Sequence, residues 1–284
     1  MKKTLTLLLV ALVAICLFVG CKEPVSYTVT FDVDGDTTTV PAQTVQEGSK
    51  ATKPTDPTKT GSYLSAWNKE DGTKFDFNKD TITSNITLKA AWKDSYSIGD
   101  EGPAGGWIFY DIDADNASGD KDKLNSYDAG WRYIEAAPDN WNNGTSTGDI
   151  QLVWGSAVLG TQISGGTEAG IGKGKSNTAN ILAETSGTFP AAALCHNYAV
   201  SKGTTTYSGW FLPSYDELMA LYTNLVKSDS TTKKGTWQTS TGCRYWSSTT
   251  TDSSNSAYVI KFDSGSEAQY DRTSSQYVRP VHYV

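Results

Sequence analysis

"GWFLPSYDELMALYTNL", residues 209–225, sets a Trp-x-Leu-Pro turn in front of two adjacent acids. Either Asp216 and Glu217 are a catalytic pair or the stretch opens a helix, and the choice decides how the larger part of the chain is read. Ser214-Tyr215-Asp216-Glu217 has capping-box spacing, with Ser214 accepting an amide of the first turn and Glu217 reaching back to the amide of Ser214. Leu218, Leu221, Tyr222 and Leu225 then recur at i, i+3, i+4 and i+7, one apolar stripe facing a core. Adjacent helical residues point about 100° apart, unsuited to two carboxylates flanking one bond. The stretch therefore begins a helix, Ser214 and Glu217 are structural, and no catalytic residue is assigned.

Outward from this helix the pattern is strand-rich. "GPAGGWIFYDID" (102–113) and "GWRYIEAAP" (130–138) each carry a strand, and "AAALCHNYAV" (191–200) has helical composition. "RYWSSTT" (244–250), "SAYVIKFDSG" (256–265) and "QYVRPVHYV" (276–284) close the chain as strand-like runs. Strands first, two helices in the middle and strands last predict an α+β domain over 96–284. Period two puts Tyr277, Arg279, Val281 and Tyr283 on one side of the last run, with Pro280 marking an edge or bulge. Arg279 among apolar residues requires a partner, and Glu217 or Asp216 is the expected one.

Residues 27–93 form a smaller unit. Tyr27 to Val33 alternates as a half-buried strand, Asp34-Gly35-Asp36 turns, Thr37 to Val40 resumes strand-like residues, and Ile86 to Trp92 is another strand. Ahead of it, Lys2 and Lys3 precede an apolar run from Leu5 to Gly20 of roughly 24 Å as a helix, short of a hydrocarbon core of about 30 Å. This reads as an export signal over 1–20. Its end, Leu17-Phe18-Val19-Gly20-Cys21, resembles the lipobox of bacterial lipoproteins. That resemblance implies diacylation of Cys21 and a lipidated tether over 21–26. Lys22, where an acid would favour inner-membrane retention, directs the expectation to the outer membrane.

The 284 residues carry 31 acidic and 24 basic side chains, a net charge of −7. Nucleic acid needs a concentrated positive footprint, so it is excluded as a partner class. "AGIGKGKSN" (169–177) ends like a phosphate-binding loop, but Ala169 stands where the first glycine belongs and no buried strand feeds it, so it reads as a flexible loop and no nucleotide is expected. Asp111, Asp113, Asp115 and Asp122 have calcium-loop spacing, yet the sixth position is Asn116 and no helix pattern brackets them; they form a weak calcium candidate beside a solvated acidic loop. No cofactor is expected. His196 and His282 build no triad or zinc set. Cys195 and Cys243 are the cysteines outside the leader and lipid site. Outside the cytoplasm such a pair is either bridged or free, and sequence carries no distance between them.

Two resemblances add to this. "VTFDVDGD…VQEGSKATKPTDPTKTGSYLSAWNKEDGTKFDF…ITLKAAW" resembles the internalin B-type repeat of bacterial surface proteins, which implies a small β-grasp-like spacer or interaction module. "GPAGGWIFYD…GWRYIEAAP…GWFLPSYDELMALYTNL…YWSSTT…AYVIKFDSG…YVRPV" is similar to the Lcl C-terminal-type family, which implies a C-type-lectin-like fold related to formylglycine-generating enzymes, and a surface role. The calcium-lectin triplets and the oxidase cysteine motifs of those relatives are absent here.

The combined expectation is a lipid-anchored extracytoplasmic protein that binds a glycan or a host or matrix protein through loops on a rigid sheet, in adhesion. Trp237, Arg244, Asp252, Asn255, Tyr270 and Arg272 are the candidate ligand-binding residues, because Tyr and Trp give contact area at low entropy cost. A structural envelope protein without a specific ligand, or a cysteine-dependent oxidase, are the alternatives.

Overall fold

A computed structural model describes residues 24–35, 39–116, 130–142, 149–155, 162–251 and 255–284. The chain divides between Ser95 and Tyr96 into two compact units; the described elements are mostly strands, and the described helices belong to the second unit.

In the first unit, β1 (Ser26–Asp32) buries Val29 and Phe31 and turns the intervening Thr and Asp residues to solvent. It pairs antiparallel with β2 (Gln43–Gln46) and parallel with β4 (Ile86–Asp94), and β3 (Ser62–Asn68) flanks β4, giving the order β2-β1-β4-β3. The core is apolar: Val29, Phe31, Leu64, Trp67, Ile82 and Leu88, with Trp67 edge-on to Phe31 at 5.0 Å. The strand expected at 37–40 is not formed where it is described. Residues 36–38 lie outside the described residues, 39 and 40 are irregular, and the paired segment is Gln43–Gln46. Gln43 also ties down a loop, its side-chain amide donating to Thr52 O at 2.6 Å and accepting from Thr52 N at 2.9 Å.

The second unit contains β5 (Trp107–Asp111), α1 (Ile112–Asn116), β6 (Tyr133–Ala136), β7 (Ile150–Val153), α2 (Gly174–Ala183) and α3 (Pro190–Asn197). A hairpin, β8 (Val200–Lys202) and β9 (Thr205–Tyr207), then leads to α4 (Tyr215–Leu221), which continues as a π-turn over Tyr222–Val226. The last strands are β10 (Arg244–Thr250), β11 (Ser256–Lys261), β12 (Glu267–Asp271), β13 (Ser275–Val278) and β14 (Val281–Tyr283). They form a five-stranded sheet β12-β11-β10-β13-β7 and a three-stranded sheet β14-β6-β5.

β10 is buried almost throughout because elements pack on both of its faces. One face carries Tyr245 and Ile260 toward α4 and the three-stranded sheet; the other carries Trp246 and Val259 toward Trp154, Ile181 and Cys195. The final run is two strands in different sheets, not one: Arg279-Pro280 carries the chain from β13 across to β14. The expected single-sided alternation through Arg279 is therefore broken. Pro280 sits at that crossing, where no ladder amide is needed. α2 also corrects the flexible loop expected at 169–177, since residues from Gly174 onward are helical.

Candidate functional site

Arg279 organises the centre of the second unit. Its side chain is 1 % exposed, and its Nε donates to Asp149 Oδ1 while Nη2 donates to Asp149 Oδ2 at 2.8 Å. Nη1 reaches Ala137 O at 3.0 Å and Nη2 reaches Thr236 O at 2.8 Å, with the guanidinium 4.2 Å over the Trp237 ring. Asp149 also accepts from Trp141 Nε1 at 3.1 Å and from the Tyr245 hydroxyl. Burial works against the Arg279 charge, but the facing Asp149 carboxylate outweighs it and raises the pKa. The partner expected from sequence, Glu217 or Asp216, is thus corrected to Asp149. Two-pronged, charge-assisted bonding of this kind fixes geometry as well as charge.

Glu217 is fully buried and does a different job. The capping box forms as expected: Ser214 N donates to Glu217 Oε2 at 2.8 Å, and Glu217 N donates to Ser214 Oγ at 3.3 Å. Gly172 N at 2.9 Å and the Tyr283 hydroxyl at 2.8 Å donate to its other oxygen. Burial pushes its pKa up and these donors pull it back. Asp216 beside it is exposed, so the two acids share no site. The glycine of the phosphate-loop look-alike is explained here too, for a Cβ on Gly174 would stand 2.2 Å from Glu217 Oε2.

A third buried acid, Glu135 on β6, escaped the sequence reading. Gly106 N donates to it at 2.6 Å and Ala104 N at 3.3 Å, and a Cβ on Gly102 would lie 2.5 Å from its carboxyl carbon. Burial raises its pKa to about 7, with the two amides opposing. The signal was present in the glycines of "GPAGG", which mark close backbone approach. His282 on β14 is its cross-strand neighbour, packed against Trp210 at 5.0 Å, and burial lowers its pKa to about 4.

The expected ligand-binding residues separate into two groups. Trp237 and Arg272 are buried, which corrects their assignment to a solvent rim: Trp237 donates to Lys234 O at 2.7 Å under the Arg279 fork, and Arg272 lies 4.8 Å over Trp154. Arg244 and Tyr270 are half-buried and in contact, the guanidinium 4.6 Å from the ring centroid. Asn255, also half-buried, accepts the Arg272 amide at 3.0 Å at the end of the β11–β12 pair. Asp252 lies outside the described residues. The structure thus brings Arg244 and Tyr270 together and withdraws Trp237 and Arg272.

Of the weak calcium candidate, the described side chains Asp111 and Asp113 are engaged by an arginine. Arg132 donates to both Asp111 oxygens, Nε at 2.9 Å and Nη2 at 3.0 Å, and also pairs with Asp113 at 3.1 Å, so a guanidinium already occupies the place between these two acids. The Asp115 side chain and Asp122 lie outside the described residues, as does Cys21, and among the described residues no cluster of acids, histidines and cysteines has metal-binding geometry. Cys195 and Cys243 are free thiols, so the bridge is not formed. Cys195 is buried in α3 against the Trp246 face of the sheet, while Cys243 lies before β10 beside Tyr277. Burial pushes the Cys195 thiol up, the opposite of a reactive thiolate.

With this geometry in place, two family models fit the chain. Residues 143–282 match the Lcl C-terminal domain. Residues 27–91 match the Listeria-Bacteroides repeat domain. Both are domain types of extracellular or surface proteins, and their combination is that of a surface or adhesion-type protein. Among curated proteins, none matches the chain.

Proposed function

We propose that this is a lipoprotein anchored through Cys21 on the extracytoplasmic side of a bacterial membrane, with a lectin-like second unit that binds a surface glycan or protein. The domain matches support the surface role, and the apolar run ending Leu17-Phe18-Val19-Gly20-Cys21 supports the anchor. Several acyl chains, at about 0.8 kcal/mol per buried methylene, hold a chain to a bilayer where one does not.

The observation that carries the binding reading is the Arg244–Tyr270 pair. A cationic fork at the start of the buried strand β10 lies over a half-exposed ring on the edge strand β12, so the pair is held on the sheet at the surface. It offers hydrogen-bond donors beside an apolar surface, the combination that hydroxyl-rich ligands need. A catalytic reading has less support, since Cys195 is buried and Asp216 and Glu217 are separated in role.

Two measurements test the proposal. Mass spectrometry of the protein from membranes should find acyl chains on Cys21 at a new amino terminus; an unmodified Cys21 ends the anchoring claim. A glycan and matrix-protein array should give a ligand whose binding falls in Arg244→Ala and Tyr270→Ala; a ligand indifferent to both removes this pair as the site.

A further inference from the structure

Four arginines of the second unit each lie on an aromatic ring: Arg132 on Tyr133 at 4.9 Å, Arg244 on Tyr270 at 4.6 Å, Arg272 on Trp154 at 4.8 Å and Arg279 on Trp237 at 4.2 Å. One further aromatic group, between α4 and the sheet, has acids beside it and, among the described residues, no cation over its rings. Tyr215, the first residue of α4, and Tyr258 on β11 lie 5.4 Å apart at 61°, both half-exposed. The Tyr215 hydroxyl donates to Glu267 on β12 at 2.7 Å. Burial first, then the Glu267 hydrogen bond, and to a smaller degree the exposed Asp216 next along the helix push the Tyr215 phenol well above its ordinary pKa. Among the described residues, neither Asp216 nor Glu267 takes part in an ion pair. Lys173, from the loop whose Ala169 carbonyl accepts the Asp216 amide, is held by Glu168 at 3.0 Å.

The group is rigid. Tyr258 is in a strand paired on both sides, and Tyr215 N donates to Thr249 Oγ1 at 3.0 Å beside the capping box. Tyrosine faces attract cations within about 6 Å, and flanking carboxylates strengthen the attraction. A ligand bearing sulfate or phosphate would meet like charge here, whereas the chain's net charge of −7 draws basic partners.

We propose that Tyr215, Asp216, Tyr258 and Glu267 form a binding site for a guanidinium or ammonium side chain on a basic segment of a partner protein. The site is on the opposite face of β11 and β12 from Arg244 and Tyr270. Tyr270 pairs with Ala257, and its neighbour Tyr258 points the other way. It therefore stands independently of the ligand reading for that pair.

Surface plasmon resonance on the full chain, with octaarginine, octalysine and octacitrulline as analytes at low salt, tests it. Octaarginine and octalysine should bind, and octacitrulline, of similar shape without charge, should not. The double variant Asp216→Asn/Glu267→Gln should weaken octaarginine binding by about tenfold or more, the size of one lost charged contact. Glu70→Gln/Asp229→Asn removes the same charge from other exposed positions and should leave binding within about twofold. Tyr258→Phe, which keeps the ring, should bind as wild type, and Tyr258→Ala should not. Absence of octaarginine binding, equal binding of octacitrulline, or equal weakening in the two double variants each overturns the proposal, the last by showing diffuse attraction to net charge. Melting curves of the variants confirm that the fold is retained in each comparison.

Discussion

The two units build their interiors from different materials. The first keeps charge at its rim, with Lys53–Asp56, Lys69–Asp80 and Lys79–Asp76 all at least partly exposed around an apolar core. The second draws Arg279, Asp149, Glu217 and Glu135 inside. The difference follows from what must be held. In the first unit, the paired strands bring the apolar faces together directly. In the second, irregular segments pass between sheets, and backbone groups at Ala137, Thr236 and Gly172 are bonded to these charged side chains. Buried polar groups of this kind fix a structure when every partner is present and destabilise it sharply when one is lost.

The largest effects should come from the centre of each unit. Arg279→Ala leaves Asp149 buried without its counter-ion and should destabilise the second unit by about 3–5 kcal/mol. Trp67→Ala opens a cavity in the first unit and should cost that unit about 3–5 kcal/mol. Calorimetry on each variant checks both. The contrast sharpens if a second change at Asp149 is added: Arg279→Met/Asp149→Leu should recover only part of the loss, since the unpaired carboxylate is gone while Ala137 O, Thr236 O, Trp141 Nε1 and the Tyr245 hydroxyl lose a partner. Should Arg279→Ala melt like wild type, the buried pair is not what holds the second unit.

Acid and base inside the second unit give a pH test with two opposite signs. Glu135 has a folded pKa of about 7 against an ordinary 4.5, so the folded state holds its proton more tightly. Its contribution to stability is full below pH 4.5 and is lost as pH rises through 7, on the order of 3 kcal/mol. His282, lowered from 6.5 to about 4, is buried neutral, so its contribution is present above 6.5 and lost as pH falls through 4. Urea denaturation from pH 4 to 8 separates them. Relative to wild type, Glu135→Gln should lose the part of the profile that declines with rising pH, and His282→Gln the part that climbs. Two difference profiles of the same sign would show that these cross-strand neighbours do not titrate as their burial requires.

What could be read in advance follows the same division between local and distant contacts. The capping box at Ser214 and Glu217 was legible because all its atoms lie within one turn; β1 was legible from alternation, and β4, β5, β10 and β11 from strand-like runs bounded by turn residues. Arg279 was recognised as needing a partner, but Asp149 is 130 residues away in a segment with no repeating pattern, and only the folded chain brings them together. Trp237 and Arg272 sit among Gly, Thr and Ser residues that resemble a solvent rim; cation–ring stacking buries them, and stacking has no sequence period. α2 was missed because its buried face includes Gly174, Asn177 and Thr178, whose polar groups are satisfied inside the protein. The Tyr215–Tyr258 group joins a helix start to a strand and was invisible for the same reason.

The smallest effects bring the comparison down to single hydrogen bonds. Ser214→Ala removes the cap side chain from an N-terminus whose other acceptor, Glu217, stays buried and still receives Gly172, Ser214 N and Tyr283. The loss should be about 1 kcal/mol, because one amide is orphaned while the carboxylate keeps its donors. Lys53→Ala in the first unit breaks an ion pair of similar length, 3.1 Å, with side chains 58 % and 48 % exposed. Water takes over both groups, so the change should stay within about 0.5 kcal/mol and should shrink further with salt. Chemical denaturation at low and high salt measures both variants. A Lys53 effect as large as that of Ser214 would mean that the first unit, too, depends on charge, and the distinction between the two interiors would fail.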